Sequence, residues 1–354
     1  MTISSLPPLT VAGRVDRVRA LLDDAGADAL VVGDASNIRW CTGFTGSNGL
    51  LVIDGDGAVL VTDSRYQDQA PAQLEAAGCV ADIEISTVSV EAGGARLAGV
   101  ARVGLEAASI TWAEQRSWAA ALADAELVAT DDLVTELRSA KDDAELARMR
   151  AAASIVDDTL AEVRSQLVPG AVERAIALAL DDGMRARGAQ GPAYETIVAS
   201  GPNAALPHAR PGDRALVEGD LVVIDAGAVV DGYRSDMTRT FVVGDADDRS
   251  REILELVTRA QAAGVDAVES GATAGAIDAV CRGIITDGGF GEAFAHGTGH
   301  GVGLDIHELP AVRRDNAAIL QPGHVITVEP GIYLSGFGGV RVEDMVVVTA
   351  DGCD

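Results

Sequence analysis

Val15, Val18, Leu21 and Leu22 recur at helical spacing, which predicts an amphipathic first helix ending near Gly26. The short uninterrupted run A-L-V-V-G that follows has the character of a buried strand. G-L-L-V-I-D and A-V-L-V-T-D then flank Gly55-Asp56-Gly57, a pattern of two strands joined by a tight turn. Helical periodicity returns from Trp112 to Leu122. No G-x-G-x-x-G follows the first strand, so this α/β beginning is not read as a dinucleotide-binding unit. The pattern breaks between residues 130 and 140, and the chain is divided into two domains, 1–135 and 136–354. Beyond the break, helical runs over 142–166, 171–187 and 248–268 alternate with strand runs and are expected to pack outside a curved sheet. No internal repeat is visible.

Two of those strand runs carry misplaced carboxylates. L-V-V-I-D-A-G-A-V-V, Leu221 to Val230, and R-S-D-M-T-R-T-F-V-V, Arg234 to Val243, are separated by Asp231-Gly232, a strong hairpin signal. With those two residues as the turn, Val230 pairs with Tyr233, Asp225 falls opposite Thr238, and Asp236 becomes the diagonal neighbour of Asp225 on the same face. Carboxylates so placed repel unless a cation is present or one is protonated. Asp236 alone has the plausible reading of a solvated strand residue, but Asp225 inside an apolar run needs a partner. The pattern repeats downstream, where V-I-T-V-E-P-G-I-Y carries Glu329 and V-R-V-E-D-M-V-V-V carries Glu343. Strand alternation puts Arg341, Glu343 and Met345 on one face, with Arg341 either orienting a carboxylate or forming an ordinary cross-strand ion pair.

H-G-T-G-H-G-V-G-L-D-I-H, His296 to His307, holds three of the chain's five histidines. His296 and His300 have the spacing of a helical zinc motif, but Gly297, Gly299, Gly301 and Gly303 would each weaken a helix. Strand and loop are expected instead. Glycines admit close backbone approach, which suits a histidine-bearing segment to the wall of a deep site.

Asp225, Asp236, Glu329, Glu343 and His300 together bring four negative charges and one imidazole, which two divalent ions would neutralise. Oxygen-dominated ligation favours Mn²⁺ or a similar ion over a thiolate-type zinc site. Such ions, held about 3.5–4 Å apart by bridging carboxylates, activate water, so hydrolysis is the natural reaction class. With 54 acidic and 27 basic residues the net charge is −27, which argues against nucleic acid or an anionic membrane as partner. No stretch is long and apolar enough to span a bilayer, and the N-terminus shows no secretory signal. Cys41, Cys79, Cys281 and Cys353 are scattered without a C-x-x-C pair, as suits reduced thiols in a cytoplasmic protein.

These five positions and their flanks resemble the pita-bread metallopeptidases, in particular the aminopeptidase P and prolidase group. The likeness spans nearly the whole chain: G-A-Q-G-P-A-Y-E-T-I-V-A-S-G-P-N-A-A-L-P-H precedes the first aspartate, and the aspartate, histidine and two glutamate motifs follow in the family's order. R-S-A-K-D-D-A-E-L-A-R-M-R, Arg138 to Arg150, resembles the opening of the family's catalytic domain. N-I-R-W-C-T-G-F-T-G-S, Asn37 to Ser47, resembles its creatinase-like N-terminal domain. The implied fold is an α/β creatinase-like domain followed by an α+β pita-bread catalytic domain.

The resemblance implies a dinuclear enzyme that cuts the bond before proline in short peptides, usually with Mn²⁺ or Co²⁺, Zn²⁺ being possible. It implies that Asp225, Asp236 and Glu343 hold both ions, that His300 and Glu329 complete the coordination, and that Glu329 relays a proton. His208 and His307 match histidines that contact substrate and steady the tetrahedral intermediate, and His296 matches a histidine beside the site. His324 matches no functional position and is read as a turn residue. Arg313 and Arg314 are candidates for a dipeptide's free carboxylate, although charged pairs in polar loops are usually solvated. A homodimer, with the N-terminal domain narrowing the entrance, is implied by the same analogy. Proline dipeptidase is the expected activity, with aminopeptidase P the alternative. A non-catalytic relative would lack ligands, and all five are present. Tyr194 stands where an aromatic, often Phe, is usual, and the chain stops at D-G-C-D, shortly after its last strand, where relatives commonly run a little further.

Overall fold

The structure, a computed structural model, describes residues 6–354. It contains two compact units, Pro7–Arg138 and Ser139–Asp354. In the first, six strands, β1 (Ala29–Val32), β2 (Gly49–Asp54), β3 (Gly57–Thr62), β4 (Asp82–Ile85), β5 (Arg102–Glu106) and β6 (Glu126–Thr130), form one sheet in the order β4-β3-β2-β1-β5-β6. β2 and β3 make the expected hairpin, closed by the Asp54 carboxylate, which accepts from the amides of Asp56 and Gly57. β4, β5 and β6 join in parallel, so the sheet is mixed. Its apolar face, including Val31, Val52 and Val61, buries Trp118 from the helix Trp112–Ala121. The first helix is shorter than its periodicity suggested: Arg14–Arg19, followed by turns through Gly26.

In the second unit, β7 (Gly191–Pro192), β8 (Ile197–Ser200), β9 (Leu221–Ala226), β10 (Ala228–Val230), β11 (Tyr233–Arg234) and β12 (Met237–Val242) precede a second group of strands. That group comprises β13 (Gly299–Gly301), β14 (Glu308–Val312), β15 (Val325–Val328), β16 (Gly331–Leu334), β17 (Gly338–Arg341), β18 (Asp344–Thr349) and β19 (Gly352–Cys353). The helices Asp143–Val163 and Glu173–Ala186 share a core with Val198, Val222, Ile224 and Val230. The helices Asp248–Asp266 and Ala274–Asp287 share another with Val312, Ile326, Val328 and Val346. Apolar residues facing the helices leave the alternate strand positions to the opposite face, and that face holds the chemistry. Among the described residues no helix is long and apolar enough to cross a membrane.

The Asp231-Gly232 turn has φ of 44° and 74°, the double positive φ of the hairpin turn that matches strand twist. Val230 pairs with Tyr233 and Asp225 with Thr238, as counted outward from the turn. The ladder is interrupted between these pairs, leaving Ser235 and Asp236 outside regular strands. The run around Glu343 departs from expectation: β17 ends at Arg341 and β18 begins at Asp344, so this is not one strand. Val342 and Glu343 form the break, which frees Glu343 to turn inward while Met345 lines a different cavity.

Candidate active site

A cavity of about 530 Å³ opens on the face away from the helices. Asp225 reaches it because β9 alternates: Ile224 and Ala226 enter the helix-side core and Asp225 points the other way. Asp236 enters from the break beyond the hairpin, His300 from β13, Glu329 from just after β15, and Glu343 from the break after β17. β13 is a strand between β14 and β15, as its glycines required. A Cβ at Gly299 would stand 2.0 Å from the Thr327 carbonyl oxygen, and one at Gly301 2.2 Å from that of Leu309.

His300 decides what the cavity can hold. Its Nδ1 lies 2.9 Å from the Gly301 carbonyl oxygen, a contact that requires Nδ1 to donate. Burial lowers its pKa to about 4, so at neutral pH the ring is uncharged and Nε2 presents a lone pair. That lone pair faces Glu329 Oε1 at 3.4 Å and Asp236 Oδ2 at 3.5 Å, so that one nitrogen and two carboxyl oxygens converge. Ligand atoms of Asp236, His300 and Glu343 lie within 4.8 Å of one another. Burial, reinforced by the neighbouring carboxylates, pushes Asp236 and Glu343 well above the ordinary carboxylate range. Burial lifts Glu329 to about 7, against the pull of Arg341. A donor set of this kind, acid-rich and facing one neutral imidazole, fits divalent cations.

Around it lies a scaffold of hydrogen bonds. Arg341, 3% exposed, donates to Asp225 Oδ2 at 2.7 Å, to the Tyr333 hydroxyl at 2.9 Å and to Thr238 at 3.0 Å. Thr238 in turn donates to Glu343 at 2.6 Å, and Thr327 to Glu329 at 3.3 Å. His296 donates from Nδ1 to the Gly297 carbonyl at 2.7 Å, so its Nε2 accepts from the Tyr333 hydroxyl at 2.9 Å. The Tyr194 hydroxyl sits 2.5 Å from both Asp225 and Asp236, although it has one hydrogen to offer two carboxylates. Sequence reasoning passed over Tyr333, Thr238 and Thr327, whose roles depend on partners 37, 105 and 2 residues away. Tyr194 had attracted notice only as a departure from a pattern.

The structure brings Asp225, Asp236, His300, Glu329 and Glu343 into this one cavity, together with His208, His296, His307 and Arg341. His208 and His307 are exposed at its rim, and the His307 ring stands edge-on to His300 with centroids 4.4 Å apart. Arg313 and Arg314 do not line it. They line an adjoining groove that shares His296 and Gly297 with the cavity. His324 stands in the turn after Gln321, largely buried, 3.2 Å from Ser139 Oγ.

Residues 147–350 match metallopeptidase family M24. The chain belongs to that family. Residues 14–140 match the creatinase/prolidase N-terminal domain. This M24 peptidase is 40% identical over 339 residues to an uncharacterized peptidase of Bacillus subtilis, YqhT, covering 96% of each chain. It is 33% identical over 342 residues to the Xaa-Pro dipeptidase of Pyrococcus furiosus, again covering 96% of each. Among solved structures, the Xaa-Pro dipeptidase from Bacillus anthracis superposes with a TM-score of 0.93 at 36% identity, covering 98% of this chain and 97% of that one.

Proposed function

We propose that this M24 peptidase hydrolyses the bond before proline in short peptides, foremost as a proline dipeptidase holding two Mn²⁺ ions. The observation that carries the proposal is the neutral His300, its lone pair turned toward Asp236 and Glu329, with Glu343 beside them. The Xaa-Pro dipeptidases among its relatives support the substrate class. Asp225, Asp236, Glu343, His300 and Glu329 would hold the ions. When bound, such ions supply Lewis acidity to the scissile carbonyl and to the attacking water. Arg341 fixes Asp225 from behind, so that this carboxylate is aimed before anything binds. Glu329 takes a proton from the attacking water and delivers it to the departing proline nitrogen. His208 and His307, at the rim, contact substrate and donate to the developing oxyanion. His296, locked between Gly297 and Tyr333, shapes the wall beside them.

Four carboxylates and one imidazole favour Mn²⁺, with Co²⁺ or Zn²⁺ as substitutes. All four cysteines are free, in keeping with a cytoplasmic location. A homodimer is expected, and a strictly monomeric mass by light scattering would contradict it.

The test is hydrolysis of Leu-Pro, Leu-Pro-Gly and Leu-Ala by metal-stripped protein with and without Mn²⁺. Metal-dependent cleavage of Leu-Pro is expected, and preference for Leu-Pro-Gly would make the enzyme an aminopeptidase P. Silence on all three with metal bound would overturn the proposal. His300→Ala should abolish turnover and lower the bound metal, and near-normal turnover by that variant would remove His300 from the ligand set.

A further inference from the structure

Beyond His296 and Gly297 the catalytic cavity gives onto a second groove of about 1170 Å³. Its lining includes Arg249, Arg282, Arg313 and Arg314 against one acid, Glu292, in a chain whose net charge is −27. Arg282 is committed to the fold: it grips Asp278 at 2.7 and 2.8 Å, stacks over Phe294 and donates to the carbonyls of Phe294 and His296. Arg249 lies 4.7 Å over the Phe337 ring. Arg313 and Arg314 are exposed, and among the described residues neither side chain makes a hydrogen bond or ion pair, although the Arg313 carbonyl accepts from the Asn316 amide at 3.3 Å. His296 and Gly297 line both spaces, and Gly297 packs closely against the next strand. A Cβ at Gly297 would stand 3.0 Å from the Val312 carbonyl oxygen and 3.1 Å from Arg313 Cβ.

We propose that this groove is an anion-binding subsite for the residues that follow the prolyl residue of a longer peptide, selecting those that carry carboxylates. The proposal rests on the reading that the Xaa-Pro bond is cut in the adjoining cavity, and on the aminopeptidase side of that reading, in which peptides longer than a dipeptide are cut there as well. Polarity sets the direction: a peptide's free amine lies on the amino side of the scissile bond, and its obligatory anion, the C-terminal carboxylate, on the other. In a bare dipeptide that carboxylate is on proline itself and stays in the catalytic cavity. The groove exceeds the roughly 300–1,000 Å³ usual for small-ligand sites, room for more than a carboxylate group. Free guanidinium forks match carboxylates in geometry as well as charge. The excess acid elsewhere on the chain repels acidic peptides, so these arginines act as a local exception.

The test compares kcat/KM on Leu-Pro-Glu-Glu, Leu-Pro-Gln-Gln, Leu-Pro-Gln-Gln-amide and Leu-Pro, for the parent enzyme and Arg313→Gln/Arg314→Gln. Binding of fluorescein-labelled Leu-Pro-Glu-Glu and Leu-Pro-Gln-Gln-amide to metal-free protein is measured in parallel. The parent should favour the glutamate peptide over the amide about tenfold at low salt, in both measurements, and the double variant should lose that ratio. A step from the amide to the free-acid glutamine peptide identifies the C-terminal carboxylate as the recognised group, and a further step to the glutamate peptide identifies side chains. Equal ratios in parent and variant, or binding indifferent to charge, would overturn the subsite while leaving Leu-Pro cleavage intact. Cleavage of Leu-Pro with none of the longer peptides cut would overturn the subsite and leave a strict dipeptidase, whereas failure of every peptide, Leu-Pro included, would strike the Xaa-Pro assignment instead and leave the binding ratio to decide the subsite.

Discussion

Replacing Glu329 with glutamine should stabilise the metal-free protein at neutral pH, although the same change should destroy its activity. Burial raises the Glu329 carboxyl from 4.5 to about 7 in the folded state. A group whose folded pKa is raised contributes stability that is fully present below its unfolded pKa, here about 4.5, and is lost as pH rises through about 7. At about 1.4 kcal/mol per pH unit the loss amounts to about 3 kcal/mol by pH 8, and to under about 1 kcal/mol at pH 5. Glutamine keeps the shape of the protonated acid and cannot ionise, so the variant avoids that loss. It also removes a negative charge from beside Asp236 and Glu343, whose raised pKa values give an effect of the same sign. For a unit of this size about 3 kcal/mol corresponds to roughly 6–12 °C in Tm. Thermal unfolding in chelator at pH 5 and pH 8 reads the difference directly. Saturating Mn²⁺ should reverse the order, since the variant has given up a ligand. A Glu329→Gln protein less stable than its parent at pH 8 without metal, or a difference that is the same at both pH values, would refute the reasoning.

Lys141 and Glu308 form an ion pair at 2.9 Å with both side chains 1% exposed, so Lys141→Met should cost about 3–5 kcal/mol by stranding the carboxylate. Lys141→Met/Glu308→Leu should regain most of it, and a single variant melting with the parent would show that the pair is not buried as described. Tyr194→Phe should destabilise the metal-free protein by about 1–3 kcal/mol, because Asp225 and Asp236 lose their shared donor. With Mn²⁺ bound the loss should shrink by at least half, and equal losses in the two states, measured by calorimetry, would contradict that account.

Much of this site was legible because strand geometry has a strict period. Counting outward from Asp231-Gly232 reproduces the pairing of Asp225 with Thr238, since register follows from turn length. The four glycines between Gly297 and Gly303 excluded a helix for the histidine cluster, and the close backbone approaches at Gly299 and Gly301 show why they are needed. Periodicity failed where packing overrides propensity. The helix Ala274–Asp287 contains Gly275 and Gly283, and tertiary burial of Ile277, Cys281 and Ile285 holds it. Alternation through V-R-V-E-D-M assumed a continuous strand, and the break at Val342–Glu343 separates Met345 from the site. The relay from Arg341 through Tyr333 to His296 joins segments that nothing in their spacing connects.

Lys141 does more than neutralise Glu308: with its neighbours it stitches the beginning of the second unit to that unit's far end. Its ammonium also donates to the Ser139 carbonyl, its amide bonds to the Gly323 carbonyl, and Ala140 bridges His324. The family match begins only at residue 147. A truncated fragment cut to that match would carry Glu308 beside His307 with its counter-ion missing, whereas one begun at Ser139 keeps the stitch. Those eight residues, 139–146, are therefore where an excision of this unit for expression succeeds or fails.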